Sequence, residues 1–145
     1  MTAADPRAAR AVRAARAVRP LGRGAAAVAA AFAVSGVVHL VRPQVFEPIV
    51  PRVLPRPRQL VLVSGVAELV CAAGLALPAT RRVAGPASAA LLVAVFPANV
   101  QMAVDAVHGA RGALPDRRRT ARAAVTLARL PLQLPLVRWA WSAGR

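Results

Sequence analysis

Seven polar side chains interrupt otherwise apolar stretches of this chain: His39, Glu68, Asn99, Gln101, Asp105, Arg129 and Gln133. An ionisable group among lipid tails costs at least ~2.5–3.5 kcal/mol on insertion scales, so such groups turn inward and pair. Glu68 in mid-stretch needs a cation or a proton, and Arg129 is the one intramembrane cation near its depth. The expected pair is therefore Glu68 with Arg129. It reads either as an ion pair locking two helices or as a charged, proton-handling pocket. His39 reads either as an interfacial histidine or as a site residue. Asn99 follows Pro97, and its amide is placed to satisfy the carbonyl that the proline frees. Together Glu68, Arg129, Asn99, Gln133 and His39 form a candidate ligand-binding set, with Gly36, Gly65 and Pro97 as structural residues.

Other chemistries lack their parts. The single cysteine, Cys71, excludes an internal disulfide and a CxxC redox pair. It lies one turn from Glu68 and reads as a small apolar packer. His39 and His108 are too far apart to make a zinc signature, and His108 falls outside its apolar stretch, which argues against haem. No phosphate loop and no nucleophile with a base is visible, so no catalytic residue and no metal ligand is assigned. The net charge is +15, carried by arginine with no lysine. Apolar stretches separate the arginine clusters, and three Phe and two Trp leave little to stack on bases. Arginines beside anionic lipid headgroups explain the charge better than a nucleic acid does.

The elements that must position these residues follow from the 57% hydrophobic content, which falls in four blocks. An all-α fold is expected, an integral membrane four-helix bundle of one domain over 24–142. Its spans are placed at about 24–41, 60–77, 83–107 and 124–141. Residues 1–23 read as a disordered Arg/Ala tail on an anionic surface. Residues 42–59 carry five prolines, yet Val45, Phe46, Ile49, Val50, Val53 and Leu54 recur at helical spacing. A short broken segment in the interface, lying across the polar residues as a cover, fits both facts. Residues 108–124 read as a basic loop. Pro97 is expected to kink the third helix.

In an up-down arrangement every polar candidate falls in the half of the membrane next to loops 42–59 and 108–124. His39 lies roughly 3 Å deep and Glu68 roughly 12 Å, at 1.5 Å per residue. A faint repeat adds a packing argument. Val34-Ser35-Gly36-Val37-Val38-His39-Leu40-Val41 parallels Val63-Ser64-Gly65-Val66-Ala67-Glu68-Leu69-Val70, with His39 and Glu68 in the same slot. Ser-Gly lets helices approach closely, and Ser35/His39 and Ser64/Glu68 are i,i+4 pairs.

Several pieces together resemble the DoxX-like membrane proteins. They are Gly36-x-x-His39, Pro43, Phe46, Ile49-Val50-Pro51, Leu54-Pro55-x-Pro57, Ser64-Gly65-x-x-Glu68, Arg81-Arg82, Val95-Phe96-Pro97-Ala98-Asn99-x-x-Met102-Ala103 and Arg129-Leu130-Pro131-Leu132-Gln133 followed by Trp139. The likeness spans roughly 24–142. It implies a four-helix, multi-pass protein of the cell membrane, with Glu68, Asn99, Arg129, Gln133, His39 and Pro97 in the shared pattern. It further implies a non-catalytic component of a redox assembly, holding quinone or anchoring a redox partner protein. The long Arg tail and the 108–124 segment depart from a typical member. A transporter or small-molecule binder using the Glu68–Arg129 pocket, and a structural accessory protein without a ligand, are the alternatives.

Overall fold

Alanine, leucine and valine dominate the apolar blocks, the first two favouring helix, while proline and arginine punctuate them. The computed structural model describes residues 20–111 and 117–145. The tail expected over 1–23 lies outside that description as far as residue 19. The described residues are helical and hold no strand: α1 is Arg23–Val41, α2 Pro57–Ala76, α3 Arg81–Arg111 and α4 Arg117–Ala143. Short 3-10 turns occupy Pro43–Val45, Glu47–Ile49 and Pro78–Thr80. The fold is all-α.

Two helices begin earlier than the apolar blocks predict. Pro57 opens α2 because its fixed φ suits the first helical position; Arg56 before it is left-handed at φ 54°. α4 begins at Arg117 rather than near 124, and α3 runs on to Arg111, so 108–111 and 117–124 of the expected loop are helical. Arginine and alanine are good helix formers, and charge that ends a membrane span does not end a helix. The last carbonyls of α2 are closed by the next turn. Thr80 Oγ1 donates to Gly74 O at 2.7 Å and Leu77 O at 3.0 Å, and Arg81 Nε donates to Leu75 O at 2.9 Å.

Neighbouring helices run up and down. Gly24 at the start of α1 faces Trp139 near the end of α4, and Gly74 near the end of α2 faces Ala84 at the start of α3. Gly85 of α3 meets the backbone of Ala140 and Gly144. The most extensive packing joins α1 with α2 and α3 with α4, while α2–α3 and α1–α4 close the array. Between α1 and α2 the crossing is nearly two-fold: a Cβ on Gly36 would fall 2.7 Å from the Gly65 carbonyl oxygen, and one on Gly65 3.1 Å from that of Gly36. The two repeats meet at equivalent positions.

Val28, Phe32, Cys71, Leu75, Leu92 and Ala140 form the core. Valines and leucines such as Val34, Val63, Val66, Val70, Val83, Leu132 and Leu134 point outward. Small residues at contacts and large apolar ones outside is the reverse of a water-soluble helix array. Three segments, Arg23–Val41, Pro57–Ala76 and Pro78–Gly109, are long and apolar enough to cross a membrane. α4 is not among them. Its 27 residues suffice in length, but Arg122, Arg129, Gln133 and Arg138 break its apolar run.

Candidate functional site

The close crossing at Gly36 and Gly65 decides the site. One turn beyond it on each helix, His39 and Glu68 come face to face, and His39 Nδ1 lies 2.8 Å from Glu68 Oε2. Ser35, one turn before His39 on the same face of α1, donates its hydroxyl to Glu68 Oε1 at 3.2 Å. Both carboxylate oxygens are thus held, and Glu68 is 5% exposed. Nδ1 donates to the carboxylate, so Nε2 is the nitrogen of His39 without a hydrogen-bond partner among the described residues. The imidazole is 11% exposed. Phe46 lies over it, with ring centroids 4.1 Å apart and planes tilted by 57°. The turns Pro43–Val45 and Glu47–Ile49 pack on α2, and the second also reaches α3. Of the cover expected over 42–59, residues 43–49 lie at this end with Phe46 on His39, whereas Val53 and Leu54 are exposed.

The expected Glu68–Arg129 pair does not form. Arg129 is exposed on the outer face of α4, and the partner of Glu68 is His39. Depth matching found which residues share a level but not which way each faces. α2 packs on α1 and α3, while α4 packs on α3 and α1, so α2 and α4 stand across the diagonal.

Asn99 and Gln133 form a second, separate cluster between α3 and α4. Asn99 Nδ2 donates to Gln133 Oε1 at 3.3 Å, and Gln133 Nε2 donates to the backbone carbonyl of Leu92. Leu92 is one residue before the carbonyl that Pro97 deprives of its amide, Val93. Neither amide bonds the Val93 carbonyl itself: Gln133 from the neighbouring helix reaches the carbonyl one residue earlier, and Asn99 bonds Gln133 rather than the backbone. Gln101 donates to Asp105 at 2.9 Å on the outer part of α3. Among the described residues no hydrogen bond or ion pair joins the His39–Glu68 cluster to the Asn99–Gln133 cluster. Among those residues no group of three His, Cys, Asp or Glu is placed to hold a metal. Cys71 is free and buried in the core.

Ser35 and Phe46 are functional neighbours that residue types alone did not single out. The signal for Ser35 was its i,i+4 spacing from His39, and that for Phe46 its place in the apolar spacing of the cover. Two open clefts lie at the ends of the helix array, of about 390 Å³ beside Pro48, Met102 and Arg122 and about 830 Å³ beside Pro78, Arg82 and Trp139. None of the five candidate ligand-binding residues lines either cleft.

A family model described as a domain of unknown function, DUF8561, matches residues 28–144, from α1 to the end of α4. The chain belongs to the DUF8561 family. No curated protein and no solved structure matches it. The matched region holds the whole His39–Glu68 and Asn99–Gln133 constellation of this DUF8561 chain and leaves out the arginine tail.

Proposed function

We infer that this DUF8561 protein is a multi-pass protein of the cell membrane whose four helices all cross the bilayer, and that it is a DoxX-like, non-catalytic component of a quinone-linked redox assembly. The outward valines and leucines support insertion, since lipid tails solvate them and water does not. α4 joins the other three as the least apolar span: Gln133 is turned inward onto Leu92, and the exposed Arg129 and Arg138 lie toward the two ends of the span expected at 124–141, from which long side chains reach the headgroups.

The observation that carries the redox reading is the His39–Glu68–Ser35 cluster under Phe46. A carboxylate that fixes Nδ1–H turns Nε2 into an acceptor with set direction. A quinol hydroxyl can donate to such a nitrogen, and a protonated imidazole can donate to a quinone carbonyl. Glu68 steadies the ring in both states. The neighbouring apolar helix faces suit an isoprenoid tail. In this reading the electrons belong to a partner protein.

Extraction of lipid from the detergent-purified protein tests the reading. Quinone is expected in proportion to protein, lost in Glu68→Gln and in His39→Phe and kept in Arg129→Gln. Quinone absent from all four preparations, with no redox protein co-purifying, refutes it. A second reading, an accessory membrane protein without a ligand, draws support from the Asn99–Gln133–Leu92 cluster, whose polar groups satisfy one another. The transporter reading built on a Glu68–Arg129 pocket loses its basis with that pair.

A further inference from the structure

The 830 Å³ cleft lies at the end of the helix array opposite His39, where the start of α1, the Pro78–Thr80 turn and the end of α4 converge. Among the described residues its charged lining is Arg81, Arg82 and Arg145, with no aspartate or glutamate. Arg81 is committed to the floor, where its guanidinium holds the Leu75 and Ala76 carbonyls. Arg82 and Arg145 are exposed and have no side-chain hydrogen bond or ion pair among the described residues. Arg145 rests 5.9 Å over the Trp141 ring. The remaining walls are apolar or amphipathic: Leu21, Pro78 and the half-exposed Trp139.

We propose that this cleft binds the phosphodiester headgroup of an anionic lipid, with Arg82 and Arg145 on the phosphate and Trp139 beside the glycerol region. Arginine forks match phosphate oxygens, and tryptophan settles at the boundary between tails and headgroups. Among the described residues the charged side chains that an anion would meet there are all arginines. The apolar walls favour a ligand with a tail over a free anion. The other cleft, which holds Asp105 beside Arg119 and Arg122, has no such balance. The inference rests on the bilayer reading and is independent of quinone.

Native mass spectrometry of the full chain in detergent, with added phosphatidylglycerol or phosphatidylcholine, decides it. Phosphatidylglycerol is expected to persist as a one-to-one adduct where phosphatidylcholine does not. Each arginine removed should weaken it about fivefold, so Arg82→Gln with Arg145→Gln loses roughly twenty-five-fold. Arg82→Lys with Arg145→Lys should keep most of the binding, and Arg52→Gln with Arg58→Gln at the other end should change nothing. Equal retention of the two lipids by the wild-type protein overturns the proposal whatever the variants do. Phosphatidylglycerol held as tightly by the double Gln variant does the same. Its displacement by millimolar inorganic phosphate reassigns the cleft to a small anion and overturns the lipid. If the bilayer reading itself fails, the chain leaves membranes in an alkaline wash. If only the quinone reading fails, the lipid ratio stands.

Discussion

His39 and Glu68 are each other's partners because a histidine can meet a buried carboxylate as a neutral donor or as a cation, whereas an arginine must stay charged. Removing either partner therefore costs a hydrogen bond and leaves a polar group that can still turn neutral. Glu68→Ala or His39→Ala should lower stability by about 1–3 kcal/mol, and the double variant should be less than additive. Thermal melting in detergent of the two single variants and the double checks this; strict additivity would separate the pair. Arg129→Gln, on the outer face of α4, should melt like wild type, and a large loss there would restore a buried role for that arginine. Gln133→Leu should cost about 1–3 kcal/mol, because the Leu92 carbonyl loses its side-chain donor and Asn99 loses its acceptor. Asn99→Leu should cost less, since Gln133 keeps the carbonyl.

At the scale of the helix, the α1–α2 crossing sets the geometry that the His39–Glu68 bond needs. Gly36→Val would push its Cβ into the Gly65 carbonyl, 2.7 Å away, and should cost about 1–3 kcal/mol while also loosening His39 from Glu68. Gly109→Ala is the informative control: nothing lies within 4 Å of its new methyl, and alanine favours helix over glycine by up to about 1 kcal/mol. Paired melting curves that fall for the first and hold or rise for the second would agree with close helix approach as the cause. The cover follows the same logic in reverse. Five prolines keep residues 42–59 out of a long helix, while Phe46 returns to His39. Phe46→Ala should expose the imidazole and be seen as faster reaction of His39 with diethyl pyrocarbonate.

For the molecule as a whole, the start of α1 and the end of α4 lie at the same end, because Gly24 packs on Trp139. The start of α1 and the end of α4 therefore share one side of the bilayer proposed here. Arginines flank the two sides almost equally, but Arg138 beside Trp139 adds to the terminal side, and the six arginines up to Arg23 precede the first span. The expected orientation places both termini in the cytoplasm. Reporters fused at the C-terminus check it: a fluorescent protein should glow and a phosphatase that works only outside the cytoplasm should stay silent. The opposite pattern inverts the topology and moves the basic cleft to the outer face.

The apolar blocks and the prolines between them determined the all-α fold, the places of α1 to α3 to within a few residues, and the return of Phe46 to the end of α1. These are local properties, set by which residues can hold a helix and which cannot. Spacing along one helix also placed Ser35 and His39 on a common face. What tertiary structure alone decided is which faces meet. Residue counts give depth, but partner choice depends on rotation about each helix axis and on which helices are neighbours. That is why Glu68 found His39 across a glycine crossing and not Arg129 across a diagonal. It is also why Asn99 met Gln133 on another helix, and Gln133 the Leu92 carbonyl, instead of the backbone beside Pro97. The start of α4 was missed for a simpler reason: arginine and alanine propagate a helix well beyond the point where its apolar face ends.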